Sequence, residues 1–198
     1  NHMSHLVLDN AEGRINLLDL TPAQSADALA AFLAARGEPA YRLKQLVPVL
    51  WQGPVRSFQE VTTLPQALRT ALDEAFVLPG LTLSTRQSSS DGTEKFLFTL
   101  TDGQSIETVA IPDGDRMTFC ISSQAGCALQ CAFCATGVMG FARNLAVHEI
   151  AGQVRELALL DPPIRPTNIV FMGMGEPLMN WEAVDKTLTI LNAEWGIG

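Results

Sequence analysis

The stretch that decides the fold runs from residue 120 to residue 134 and reads CISSQAGCALQCAFC. Three of its cysteines, Cys127, Cys131 and Cys134, have the spacing C-x3-C-x2-C. Three thiolates this close together suit a 4Fe–4S cluster whose fourth iron keeps a coordination position free. An iron of that kind can chelate a small molecule, so the loop predicts a cluster that serves a ligand.

A structural zinc site is the alternative for the same cysteines. Cys120 would complete four sulfur ligands, or His148 would supply a nitrogen ligand. Structural zinc sites usually pair two C-x2-C knuckles, and this stretch has only one knuckle with one additional cysteine. The spacing therefore favours the cluster over zinc.

Composition bounds the class of protein. The chain has 198 residues, 47% of them apolar, enough for one or two domains with a sizeable core. It has no apolar run near ~18 residues and no signal segment, which predicts a soluble, cytoplasmic protein without a membrane partner. All four cysteines crowd one loop, which argues against a disulfide framework. Residues 1–3, Asn-His-Met, are typical of a vector scar.

The charge argues against a generic nucleic-acid-binding surface. The net charge is −8, and residues 91–198 carry six basic and thirteen acidic side chains. Residues 1–90 are nearly balanced, with seven basic and eight acidic side chains. Electrostatic repulsion of RNA is therefore expected to be weaker at residues 1–90 than at residues 91–198.

Residues 13–78 are predicted to form a small helical domain. Helices are expected to begin near Thr21, Pro39 and Pro65, because a polar N-cap or a proline suits a helix start. Pro48 should end or kink the second helix.

The pattern changes after residue 80. Residues 81–88, 95–101 and 105–111 alternate or cluster β-formers, and Asp-Gly pairs separate them, which predicts an antiparallel meander. Four further elements follow: a strand at 117–121, a helix at 147–160, a strand at 168–172 and a helix at 181–191. Their alternation predicts parallel βα units.

A second group of functional candidates follows the strand at 168–172. It reads Gly173-Met174-Gly175-Glu176-Pro177. Two glycines let a backbone approach a ligand closely, and Glu176 offers an anionic acceptor for a ligand ammonium at a strand's carboxyl end. An ordinary strand-to-helix turn with a capping glutamate is the alternative.

Taken together, these stretches resemble the radical S-adenosylmethionine (SAM) superfamily. The closest likeness is to the RNA methyltransferases that methylate adenine at C2 in 23S rRNA and tRNA. The matching stretches are INLLDL at 15–20, SSDGT at 89–93, ETVAIP at 107–112, the cysteine stretch, GFARNL at 140–145 and NIVFMGMGEP at 168–177.

The resemblance implies an α/β architecture in three parts. Residues 4–80 would form a helical accessory, RNA-binding domain and residues 81–116 a short antiparallel β extension. Residues 117–198 would form the first part of a partial (β/α) radical-SAM barrel, incomplete in this chain. We therefore expect a fragment of a longer enzyme.

The resemblance also assigns cofactor-binding roles to five residues. Cys127, Cys131 and Cys134 match the cluster ligands, and the open iron would take S-adenosylmethionine. Gly175 and Glu176 match the motif that holds the methionine ammonium of that cofactor.

Two further residues match catalytic positions. Cys120 matches a cysteine that resolves a covalent protein–RNA adduct, and Glu107 matches a proton acceptor. Without the resemblance, Cys120 would be a buried small hydrophobe and Glu107 a solvated strand residue. Arg143 is expected to be solvated, with contact to phosphate or substrate as the alternative, and His148 is expected to lie on a helix surface.

The resemblance has a limit. The family transfers the methyl group through a further, downstream cysteine, and all four cysteines here already have other roles, so the fragment is expected to be inactive. An external electron donor such as flavodoxin is implied. One alternative is the sister family of adenine-C8 rRNA methyltransferases, which confer antibiotic resistance; Ala125 and the 15–20 stretch resemble the C2 family more. The other alternative is a zinc-stabilised RNA-binding module without catalysis.

Overall fold

The computed structural model describes residues 13–127, 129, 131 and 140–197. The backbone separates into two compact units, Asn1–Pro79 with Thr189–Gly198, and Gly80–Leu188. No helix in the described part of the chain is long and apolar enough to cross a membrane.

Short helices dominate the first unit. They are α1 (Pro22–Ala35), α2 (Leu43–Leu46), α3 (Pro48–Trp51) and α4 (Gln66–Ala75), with 3₁₀ turns at Leu17–Asp19, Ala40–Arg42 and Phe58–Glu60. Thr21 caps α1 as predicted, and Gln24 completes the capping box. The predicted second helix is divided, because α2 ends at Leu46 and α3 begins at Pro48.

Two short strands complete this unit and were not predicted. Strand β1 (Ile15–Asn16) pairs in parallel with β2 (Phe76–Val77), immediately after α4. The hydrophobic core of this unit is aliphatic and aromatic. Its large, fully buried side chains include Leu17, Leu18, Leu29, Leu50, Trp51 and Phe58.

One five-stranded sheet organises the second unit. It comprises β3 (Thr82–Ser88), β4 (Glu94–Thr99), β5 (Ser105–Asp113), β6 (Arg116–Cys120) and β9 (Asn168–Val170), in that spatial order. The predicted meander is confirmed, since β3 to β6 pair antiparallel, while β6 and β9 pair parallel. The predicted boundary at residue 116 falls within this sheet.

The two faces of the sheet have different surroundings. One face carries the buried side chains Phe96, Phe98, Ile106, Thr108, Ala110 and Phe119. Helix α5 (Val147–Ala158) joins this face, because Thr108 Oγ1 donates to Gln153 Oε1 at 2.8 Å. The other face, with Glu107, Val109 and Cys120, keeps partial solvent exposure.

The remaining elements surround the carboxyl ends of β6 and β9. Strands β7 (Gln124–Gly126) and β8 (Phe141–Asn144) form an antiparallel pair that was not predicted. After β9 come a 3₁₀ turn, Pro177–Asn180, and helix α6 (Trp181–Asn192). Both predicted helices of this region, α5 and α6, are confirmed.

Candidate functional site

The two predicted functional stretches meet at one edge of the sheet. Because β6 and β9 are parallel neighbours in register at Cys120 and Val170, their carboxyl ends lie side by side. Residues 121–127 continue from β6, and residues 171–176 continue from β9. Ligands of parallel α/β proteins bind at this end of the strands.

Backbone hydrogen bonds join the two stretches beyond the strands themselves. The Gly173 N–H donates to Ile121 O (3.0 Å), and Met174 O accepts from the N–H groups of Ser123 (2.9 Å) and Gln124 (3.2 Å). Residues 121–124 at the start of the cysteine loop and residues 173–174 of the glycine turn (Gly173–Glu176) are therefore held together by backbone hydrogen bonds.

Both glycines of the turn are required by this close approach. A Cβ on Gly173 would lie 2.7 Å from the Ile121 carbonyl and from Ser122 Oγ. A Cβ on Gly175, where φ is +98°, would lie 2.5 Å from Gln124 Cβ. The G-x-G pattern therefore serves contact with the cysteine loop.

A buried serine connects the turn to the strand that carries Glu107. Ser122 Oγ donates to the Glu107 carbonyl (2.6 Å) and accepts from the Met174 N–H (2.9 Å). The Ser122 backbone is held in turn by Gln153, whose side-chain amide accepts from the Ser122 N–H and donates to Ser122 O, both at 2.8 Å.

Gln124 makes a second side-chain bridge. Its Oε1 accepts from the Glu176 N–H (2.9 Å), and its Nε2 donates to Asn144 Oδ1 (2.8 Å). Asn180 adds a third link, donating to Ser123 O and to Leu145 O, both at 2.9 Å. Sequence reasoning missed Ser122, Gln124, Gln153 and Asn180. Ser122 and Gln124 gave a weak signal as polar residues within the cysteine stretch, whereas Gln153 and Asn180 lie far from it in sequence.

The described cysteines of the motif follow this scaffold. Cys127 is buried, with 9% exposed, and Cys131 is partly exposed; both are free thiols. The Cys127 N–H donates to Gly140 O at 3.0 Å, which closes the loop at the β7–β8 pair. Cys134, the third predicted ligand, lies outside the described residues.

These features fit a thiolate-bound cluster at the predicted place. Cys127 and Cys131 are free thiols, and Cys127 lies three residues after Gln124, the residue against which Gly175 packs. No three His, Cys, Asp or Glu side chains form a metal-ligand group in the described residues, which exclude Cys134. His148, the nitrogen donor of the zinc alternative, lies half-buried in the first turn of α5.

Glu176 has a structural partner. Its Oε1 accepts from the Leu178 N–H at 3.0 Å and so caps the 3₁₀ turn Pro177–Asn180. The capping glutamate considered from the sequence is thus present. The carboxylate keeps acceptor capacity, because each oxygen has two lone pairs and one bond is used.

Cys120 and Glu107 lie on the partly exposed face of the sheet. Burial raises the pKa of the Cys120 thiol, and a hydrogen bond from the Met172 backbone opposes part of that rise. The Glu107 side chain is 43% exposed, and its Oε1 lies 3.4 Å from Lys95 Nζ.

Arg143 is not the solvated arginine that the sequence suggested. Its guanidinium donates to Asp102 Oδ2 (2.6 Å) and to both carboxylate oxygens of Glu149 (2.7 and 2.8 Å). Arg143 therefore ties β8, which closes the cysteine loop, to the β4–β5 turn and to the first turn of α5.

Two family models match the chain in succession. Residues 15–78 match the ribosomal RNA large subunit methyltransferase N-terminal domain, and residues 121–197 match the radical SAM superfamily.

Two curated relatives carry the same name. The chain is 66% identical over 183 residues to "Probable dual-specificity RNA methyltransferase RlmN" of Gemmatimonas aurantiaca, covering 92% of this chain and 51% of that protein. The protein of the same name from Gloeobacter violaceus is 48% identical over 177 residues, with 88% and 50% covered. This chain thus spans about half the length of the curated relatives that it matches.

A solved structure agrees with these relatives. A radical SAM methyltransferase from Sphaerobacter thermophilus superposes with a TM-score of 0.78 at 40% sequence identity, covering 92% of this chain and 53% of that one.

Proposed function

We propose that this chain, which belongs to the radical SAM RNA methyltransferase family, is the part of such an enzyme that binds the cluster and the cofactor. The proposed reaction is methylation at C2 of a specific adenosine in 23S rRNA and in tRNAs. The observation that carries the proposal is the fixed pairing of the cysteine loop with the Gly173–Glu176 turn.

The cofactors follow from this pairing. Cys127, Cys131 and Cys134 would hold a 4Fe–4S cluster, and Gly175 and Glu176 would bind the amino group of S-adenosylmethionine. A cluster held there would supply an electron for reductive cleavage of S-adenosylmethionine. The chain's own contribution is to position the ligand, through a carboxylate and closely packed backbone.

Cys120 and Glu107 are proposed as the catalytic pair. They share the sheet face opposite α5, and they lie on neighbouring strands at the end where the cysteine loop begins. Glu107 would accept a proton from the substrate. Cys120 would release the methylated RNA from its covalent link to the protein.

The methyl group requires a residue outside the present sequence. A methyl-cysteine intermediate needs a further thiol, and all four cysteines here have other roles. We therefore propose that these 198 residues alone carry out no methyl transfer. The first unit would contact the RNA, a donor such as flavodoxin would supply electrons, and the reaction would take place in the cytoplasm.

Metal analysis tests the cluster. After anaerobic reconstitution with iron and sulfide, we expect about four irons per chain and a brown chromophore. Triple replacement of Cys127, Cys131 and Cys134 by alanine should abolish iron uptake, whereas Cys120→Ala should leave it intact. One tightly bound zinc without iron uptake would instead support the zinc-stabilised module.

Ligand binding tests Glu176. Glu176→Ala should weaken S-adenosylmethionine binding by roughly tenfold or more, because a carboxylate–ammonium contact is lost. Glu182→Ala, an exposed glutamate at the start of α6, is the matched control and should bind normally. Unchanged binding by Glu176→Ala, at equal cluster content, would refute the assignment.

A further inference from the structure

Gln124 connects three parts of the site through one buried side chain. It is only 1% exposed, and it lies on β7, between the serines that follow β6 and the first cluster cysteine. Its amide oxygen accepts from the Glu176 N–H, and its amide nitrogen donates to Asn144 on β8. Glutamine suits this position because its side chain both accepts and donates.

The same side chain also forms the surface against which the turn packs. The Cβ and Cγ of Gln124 fill the space where a Gly175 side chain would otherwise stand, at 2.5 and 2.7 Å from an added Cβ. The Gln124 N–H further donates to Met174 O at 3.2 Å. Residues 174, 175 and 176 are thus each fixed by Gln124.

The orientation of Asn144 keeps the Gln124 amide in one arrangement. Asn144 Oδ1 accepts from Gln124 Nε2, and Asn144 Nδ2 donates to Met179 O at 3.3 Å. A flipped Gln124 amide would present its Nε2 to the Glu176 N–H, placing two donors against each other. Only one amide orientation satisfies every partner.

We propose that Gln124 is a positioning residue that holds Glu176 at a fixed place relative to the cysteine loop, so that one ligand can reach both. The ligand class is an amino acid headgroup, with its ammonium at Glu176 and its other donor atoms toward the loop. The inference rests on the proposed function for that ligand. The part of the inference that concerns the position of Glu176 depends only on contacts within this chain.

Two substitutions separate the roles of the side chain. Gln124→Met keeps the volume against Gly175 and removes both hydrogen bonds. Gln124→Glu keeps an acceptor for the Glu176 N–H. Gln66→Met, an exposed glutamine on α4, is the matched control, and Asn144→Ala removes the Nε2 partner while leaving the acceptor in place.

The first measurement needs no cofactor. Hydrogen exchange of the Glu176 backbone amide is followed by NMR on the full 198-residue chain. It should accelerate by roughly tenfold in Gln124→Met, because that amide loses its hydrogen bond to the Gln124 side chain. Gln124→Glu should restore slow exchange, and Gln66→Met should not change it. Equal exchange in Gln124→Met and the parent chain overturns the proposal. If Gln124→Met does not fold, Gln124→Glu and Asn144→Ala supply the test, because both keep an acceptor for the Glu176 N–H at residue 124. Fast exchange of the Glu176 amide in both variants would also overturn the proposal.

The second measurement uses the reconstituted chain. Gln124→Met should keep the parent iron and sulfide content while its Kd for S-adenosylmethionine rises about tenfold. An unchanged Kd alongside faster amide exchange would refute the link to the ligand. If the parent chain with a loaded cluster does not bind S-adenosylmethionine, the proposed function fails, and with it the ligand role of Gln124.

Discussion

Glu107 and Cys120 lie diagonally across two adjacent antiparallel strands and share one face of the sheet. Cys120 pairs with Val109, and Glu107 precedes Val109 by two residues on β5. Diagonal neighbours of this kind are roughly 7–8 Å apart. The two proposed catalytic side chains are therefore close enough to contact one ligand on the sheet face opposite α5.

The environment of Cys120 predicts a slow thiol. Because burial raises its pKa, most of the thiol stays protonated where an ordinary cysteine begins to ionise. In the metal-free chain, iodoacetamide should alkylate Cys120 several-fold more slowly at about pH 8 than in urea-unfolded chain. Peptide mapping by mass spectrometry across a pH series measures this rate separately for each cysteine.

The pH profile supplies the decisive comparison. In the folded chain, the alkylation midpoint of Cys120 should lie above that of the same residue in unfolded chain. A midpoint at or below the unfolded value would contradict this prediction, because burial would then not raise the pKa of Cys120.

Removal of Arg143 should destabilise the chain. The Glu149 carboxylate is only 5% exposed, so it depends on protein hydrogen-bond donors. In Arg143→Gln it loses the guanidinium and keeps the Ala146 N–H. The expected cost is about 2–3 kcal/mol in the free energy of unfolding, measured with urea. Arg116→Gln is the matched control, since both Arg116 and its partner Asp113 are largely exposed, and it should change little. Equal losses in the two variants would contradict the assignment.

Asp102 gives the same network a pH dependence. The Arg143 guanidinium holds the pKa of Asp102 below its ordinary value, so the folded-state pKa lies below the unfolded one. Ionised Asp102 thus adds stability that is fully present above about pH 4 and is lost as pH falls through the folded pKa. The side chain is 42% exposed, which limits the contribution to below about 1 kcal/mol.

Asp102→Asn tests this dependence. Its urea midpoint should fall below that of the parent at neutral pH, and the difference should shrink as the pH falls from about 4 and vanish once the pH is below the folded pKa of Asp102. Asp115→Asn, at an exposed aspartate, should match the parent at both values. A difference that persists at low pH would mean that Asp102 acts through its shape rather than its charge.

Much of the fold could be predicted because its signals are local. Thr21 and Pro22 start α1, Asp-Gly pairs separate the strands of the meander, and the spacing of the buried Ile150, Val154 and Leu157 predicts α5. These residues act within a few positions of themselves, so spacing alone reveals them.

The missed features depend on contacts between distant segments. The β1–β2 pair joins residues 15–16 to residues 76–77, and no local pattern predicts that pairing. Likewise, Gln124 has meaning only once Glu176 and Asn144 lie beside it. Arg143 was misjudged for the same reason, since its partner Asp102 belongs to a turn on another pair of strands.

Gly175→Ala should disrupt the turn by a clash rather than by backbone strain alone. The added Cβ would lie 2.5–2.7 Å from Gln124, at a φ of +98°. Gly103→Ala is the matched control, because φ is +83° there and nothing lies within 4 Å of an added Cβ. We expect about 1–2 kcal/mol for Gly103→Ala and clearly more for Gly175→Ala, from urea unfolding. Similar costs would show that Gln124 yields easily and does not fix the turn.

Ser122→Ala should loosen the connection between the Glu107 strand and the glycine turn. The buried Ser122 hydroxyl is donor to the Glu107 carbonyl and acceptor for the Met174 N–H, so alanine leaves two backbone groups without this partner. The expected loss is about 2–3 kcal/mol in the free energy of unfolding. Ser84→Ala, at an exposed serine on β3, controls for loss of a hydroxyl and should cost little. The specific signature is faster hydrogen exchange at the Met174 amide in Ser122→Ala; a loss of stability with Met174 exchange unchanged would place the role of Ser122 elsewhere in the sheet.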